Sequence, residues 1–95
     1  MAKISFFGAD GEEKSYTLHP QLTLRVGRDP GNDVVLRDPK VSRRHAEIVF
    51  ERGFFVLHDL QSANGTYVNG RRATVPVELR TGDAVQVGKT VMEVR

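Results

Sequence analysis

The sequence predicts an all-β protein, a sandwich of about ten short strands, on three observations. Its apolar residues come in runs of four to six bounded by Gly, Pro, Asn and Asp. No stretch sustains helical spacing over three turns. Ala46-Glu47-Ile48-Val49-Phe50-Glu51 and Val91-Met92-Glu93-Val94 alternate with period two, which turns Glu47 and Glu93 to water and apolar neighbours to a core.

Each element follows from its run and from the residues that stop it. Lys3 to Phe7 ends at Gly8, Ser15 to Leu18 shortly before Pro20, and Thr23 to Val26 at Gly27. Val34 to Leu36 lies between Asp33 and Asp38-Pro39. Ala46 to Glu51 and Phe54 to Asp59 flank Arg52-Gly53, a tight hairpin. Tyr67 to Val68 runs into Asn69-Gly70, which reads as a type I′ turn because both residues tolerate positive φ. Val77 to Leu79 follows Pro76, Ala84 to Val87 stops at Gly88, and Val91 to Val94 closes the set. There is no repeat, no low-complexity segment and no long linker.

Composition narrows the function classes. A chain of 95 residues with 39% hydrophobic content supports one compact core, so a single domain over residues 1–95 is expected, whether free or as a module of something larger. With no cysteine, disulfides, zinc–thiolate clusters and thiol nucleophiles are excluded, and a cytoplasmic setting fits. The start, MAKISFFGADGEEK, has neither a signal-peptide pattern nor an apolar run of about 18 residues, so no membrane insertion is expected. Net charge is +2, the seven aromatics fall mostly at apolar strand positions, and there is no basic stripe. A nucleic-acid partner is therefore not expected. Nothing calls for a metal or a cofactor.

The residues that carry chemistry gather where the apolar pattern breaks: Gly27-Arg28, Ser42-x-x-His45, Asn64-Gly65-Thr66 and Asn69-Gly70. Arg28 opens a turn-rich loop, Asp29 to Asp33, where its planar guanidinium can meet a phosphate with two parallel hydrogen bonds or simply pair with Asp29 or Asp33. Ser42 and the backbone N–H groups of the Asp38 to Arg44 loop can donate to an anion, although a loop serine also serves as a plain turn residue. Asn64 carries a donor and an acceptor suited to clamping an extended main chain, and Asn64-Gly65 is also a turn signal. A Ser-His pair with Asp59 invites comparison with a hydrolase triad, but no G-x-S-x-G elbow is present.

The order, spacing and flanking text of these motifs, LRVGRDPGNDVVLRDPKVSRRH and then HDLQSANGTYVNG, resemble the forkhead-associated (FHA) domain from about Leu24 to Val87. The resemblance implies an FHA-like β-sandwich of two antiparallel or mixed sheets with ten or eleven short strands. It implies a non-catalytic module that reads phosphothreonine in proteins modified by a Ser/Thr kinase, so that the partner is a phosphothreonine-containing protein, a kinase or a kinase substrate. On the matching positions, Arg28 is the principal phosphate contact, Ser42 the second, and Asn64 the peptide clamp. Arg43 and Lys40 add basic groups beside them. Gly27, His45, Gly65, Thr66, Asn69 and Gly70 support the site from within the protein. One position departs from the pattern, since many phosphopeptide-binding members carry Ser or Thr where this chain has Ala63. A missing hydroxyl makes a phospho-independent interaction or self-association module on the same fold the competing expectation.

Overall fold

A computed structural model describes residues 1–95. Its eleven strands are β1 (Lys3–Phe7), β2 (Glu13–Thr17), β3 (Leu24–Gly27), β4 (Val34–Val35), β5 (Ala46–Glu51), β6 (Phe54–Asp59), β7 (Thr66–Val68), β8 (Arg71–Arg72), β9 (Val77–Glu78), β10 (Ala84–Val87) and β11 (Thr90–Val94). There is no helix. Strands β2-β1-β11-β10-β7-β8 form one sheet and β4-β3-β5-β6-β9 the other. All pairs are antiparallel except β3 with β4, where Val26 lies opposite Val34 and Gly27 opposite Val35. The all-β sandwich expected from the sequence is the observed fold.

Alternation explains which faces meet. Ala46 and Ile48 on β5, Met92 and Val94 on β11, and Val85 and Val87 on β10 point into one 17-residue core that joins both sheets, while Glu93 remains exposed. Phe50 breaks the rule. It stands 37% exposed near the end of β5 and packs edge-on against Phe55 at 5.0 Å, because the hairpin carries it past the rim of the core. That hairpin turns through Arg52 and Gly53 with φ of 52° and 87°, and Asn69 and Gly70, at 51° and 82°, make the β7–β8 hairpin.

β1, β5, β6 and β10 match the sequence reading at both ends, and the other six predicted strands differ from it by a residue or two. The one strand the pattern missed is β8, two exposed arginines with no apolar signal, paired to β7 through Tyr67 opposite Arg72. The two chain ends lie side by side, with Lys3 and Arg95 exchanging backbone hydrogen bonds of 2.9 and 2.7 Å.

Candidate functional site

Four loops meet at one end of the sandwich, and hydrogen bonds between them show how. Residues 28–33 join β3 to β4, residues 36–45 join β4 to β5, residues 60–65 join β6 to β7, and Gly88 and Lys89 join β10 to β11.

The first junction lies at the end of β3. The Arg28 N–H donates to the Ser42 carbonyl at 3.0 Å and the Asp29 N–H to the Arg43 carbonyl at 3.2 Å. The Asn32 amide donates to the carbonyls of Asp29 and Arg43, each at 2.8 Å. A Cβ on Gly27 would run into the Arg43 carbonyl and the Asn32 amide. Glycine is thus needed because one backbone crosses directly over another. The Arg28 side chain donates from Nε to the Val41 carbonyl at 3.0 Å. None of the four ion pairs in the protein involves Arg28, so pairing with Asp29 or Asp33 is not what holds it. The rest of its fork is exposed and unpaired.

The second junction is made by His45, which is fully buried. Its Nδ1 accepts the Ser42 N–H at 3.0 Å, and Nε2 lies 2.9 Å from the Gly65 carbonyl. An N–H and a carbonyl as partners fix the neutral tautomer with hydrogen on Nε2. Ser42 Oγ accepts the Ala63 N–H at 3.1 Å, which leaves its own hydrogen free to donate outward. The Asn64 amide donates to the Lys40 carbonyl at 2.9 Å, and its oxygen stays open. Arg28, Ser42, Arg43, Asn64 and the Lys40 backbone therefore stand on one rim. Lys40 and Arg43 are exposed and form no ion pair.

The loop N–H groups differ from the sequence expectation. Those of Lys40, Val41 and Ser42 are spent on the Asp38 carboxylate, the Asp38 carbonyl and His45. Those of Arg43 and Arg44 make no hydrogen bond within the protein.

Two carboxylates that the sequence reading did not select hold the rim in place. Asp59 Oδ1 accepts the Ser62 and Thr66 hydroxyls at 2.6 and 2.7 Å, Oδ2 accepts the Ser62 N–H at 3.1 Å, and Ser62 Oγ in turn accepts the Gly65 N–H at 2.9 Å. Burial pushes the Asp59 carboxyl upward, but the bonds from Ser62 and Thr66 outweigh it and hold the group below its ordinary value. Asp38 accepts the Lys89 N–H at 2.9 Å and the Lys40 N–H at 3.0 Å. These two bonds, Lys89 first, keep its carboxyl low as well. The sequence marked Asp59 as an Asp closing a strand and as the carboxylate of a triad that does not form, and Asp38 only as part of an Asp-Pro opening a loop.

The triad geometry does not form. His45 bonds the Ser42 backbone, not its hydroxyl, and both ring nitrogens are engaged, so the imidazole has no free site for the Ser42 proton. Asp59 faces Ser62 and Thr66. Away from the rim, Asn69 ties the β7–β8 turn to β10, donating to Asp83 at 3.0 Å and accepting the Ala84 N–H at 2.9 Å. Gly70 completes that turn.

Known proteins resemble this chain in sequence and fold. The pattern of the FHA domain matches residues 24–88. Among relatives, the glycogen accumulation regulator GarA of Mycolicibacterium smegmatis is 49% identical over 69 residues, covering 73% of this chain and 43% of that protein. The chain spans less than half the length of the relatives it matches first. The FHA domain of FhaA, solved in complex with the intracellular domain of Rv3910, superposes with a TM-score of 0.86 at 30% identity over the whole of both chains. An FHA domain solved in a study of phosphothreonine-dependent interactions gives 0.81 at 29% identity, over 99% of this chain and 94% of that one. With the sequence match over residues 24–88 and the sandwich fold in agreement, this chain belongs to the FHA domain family.

Proposed function

We propose that residues 1–95 are a single non-catalytic FHA module that binds a phosphothreonine-bearing protein and so links Ser/Thr kinase activity to complex formation. The observation that carries this reading is the Arg28 guanidinium. It is fixed through Nε to the Val41 carbonyl, has no carboxylate partner, and leans on the turn that presents the free Ser42 hydrogen. A phosphate brings about −1.5 to −2 charges to such a fork, and an unmodified threonine brings none. In this reading Arg28 and Ser42 take the phosphate oxygens. The open Asn64 oxygen takes a peptide N–H, and Lys40 and Arg43 face acidic ligand groups.

Three further points complete the proposal. The partner is a phosphorylated protein, either the kinase or its substrate, and the working compartment is the cytoplasm. No helix is long and apolar enough to cross a membrane. Nucleic acid and cofactors play no part. Ala63 favours a second reading, in which the same rim binds an unmodified partner, since this position offers its N–H to Ser42 but no hydroxyl to a ligand.

The test titrates an oriented phosphothreonine peptide library against the wild type and Arg28→Ala, with unphosphorylated and phosphoserine libraries as controls. Phosphothreonine-only binding that falls over a hundredfold in the mutant is expected, because two charge-assisted hydrogen bonds of about 1.5–3 kcal/mol each are lost. Undiminished binding by the mutant would sink the assignment. Equal binding of the unmodified library would select the second reading.

A further inference from the structure

A groove of about 500 Å³ opens beside the loop rim, between the β1–β11 corner of one sheet and the β4 edge of the other. Its lining includes the two most exposed large apolar residues of that corner, Phe7 at 69% and Val91 at 54%. They are neighbours. The β1–β11 register, with Ser5 opposite Glu93, carries Phe7 opposite Val91 and turns both outward. Paired exposure of this kind marks interaction surfaces more often than isolated apolar residues do.

Charge identifies what fits there. Lys14, Arg37 and Lys89 line the groove, and none of them joins an ion pair. The one carboxylate in the lining, Asp38, is already spent on the N–H groups of Lys40 and Lys89. The groove therefore combines exposed apolar surface with unpaired positive charge, complementary to an apolar side chain flanked by Asp or Glu. Its concave shape suits an inserted side chain and not a flat lipid surface. It also continues the rim, because the loop that begins at Asp38 supplies the Val41 carbonyl that fixes Arg28. Val41 lies three positions after Asp38, a reach of at most about 11 Å.

We propose that this groove is a second docking surface, which takes an acidic segment with an apolar anchor from the same phosphorylated partner, a few residues away from its phosphothreonine. The inference rests on the phosphothreonine reading. It adds that the partner is recognised at two points, the phosphate for switching and the groove for discrimination between equally phosphorylated proteins.

Tethered peptides test it. The probe joins a library-selected phosphothreonine core through Gly-Ser linkers of about 3 to 10 residues to Glu-Leu-Glu-Phe-Glu, attached at either end. Controls carry Lys-Leu-Lys-Phe-Lys or Gly-Ser alone. Binding is read by fluorescence anisotropy on the intact chain, and heteronuclear NMR locates the tail. At a matching linker length the acidic–apolar tail should tighten binding about tenfold or more over the core. The gain should disappear in Phe7→Ser and in Lys14→Glu, two exposed positions outside the rim, while core affinity and melting temperature stay as in the wild type.

No gain at any linker length or at either end, an equal gain from the basic tail, or a gain that survives both substitutions would each overturn the groove inference and leave the core result standing. Phe7-dependent partition onto phosphatidylserine-containing vesicles, with no tail effect, would likewise overturn it in favour of a lipid surface. Failure of the core itself to bind in an Arg28-dependent way would remove the phosphothreonine reading, and the inference with it.

Discussion

His45 and Gly65 are joined by a 2.9 Å hydrogen bond across 20 residues of sequence, from a fully buried imidazole to a backbone carbonyl. With Ser42 bonded to the other ring nitrogen, one side chain sets the distance between the loop that carries Ser42 and the loop that carries Asn64. The spacing of the rim is thus decided inside the protein before any ligand arrives.

Replacing His45 by Ala should therefore damage both stability and binding. It removes two hydrogen bonds, leaves the Ser42 N–H and Gly65 carbonyl unpaired, and opens a cavity, for a cost of about 2–4 kcal/mol. Urea unfolding should show the loss as a lower midpoint with an unchanged slope. A midpoint equal to that of the wild type would mean that the two loops are held by other contacts.

Gly27→Ala adds one methyl group where the chain crosses itself. The backbone of residues 42–44 must shift, at about 1–3 kcal/mol, and it carries the Arg28 and Ser42 contacts with it. Phosphopeptide affinity should drop by more than the melting temperature suggests, which isothermal titration and thermal unfolding measured on one preparation can compare.

Ala63→Ser restores the hydroxyl that the family often has. If that group reaches the phosphate, affinity should rise about tenfold, the equivalent of one modest charge-assisted hydrogen bond. An unchanged Kd would show that the Ser42 hydroxyl already saturates that side of the phosphate.

Acid should unfold the protein through Asp38 and Asp59. Both carboxyls lie below their reference value of 3.8 in the folded state, so each contributes stability that is present above that value and lost as pH falls through the lower folded one. The contribution of these two carboxyls should be complete at neutral pH and decline as pH falls below about 4. Asp59→Asn, which cannot accept all three bonds from Ser62 and Thr66, should be less stable at pH 7 and less sensitive to acid than the wild type.

What could be read in the sequence is what local pattern encodes. β5 and β11 announced themselves by alternation, the β7–β8 turn by Asn69-Gly70, and the rim by Gly27-Arg28 and Ser42-x-x-His45 in order. Two arginines gave no apolar signal for β8, which exists because a type I′ turn folds it back onto Tyr67 and Val68. The Asp38–Lys89 tie spans 51 residues and uses a backbone N–H, a donor that every non-proline residue has and no motif marks. Asp59 was read as the end of a strand and weighed as a triad carboxylate, whereas its hydroxyl partners, Ser62 and Thr66, lie three and seven residues on in a pattern that no motif marks.

The pairing of the first strand with the last bears on how the chain is made. β1 lies between β2 and β11, so a ribosome that has released β1 and β2 holds a hairpin whose long inner edge has no neighbour until residues 90–94 emerge. That edge stays unpaired through most of the synthesis of this domain, at a translation rate of about 5–20 residues per second. Closure is then a late, all-or-none event dominated by distant contacts. An unpaired strand edge is a template for another chain, so this topology exposes nascent chains to mispairing until β11 is in place.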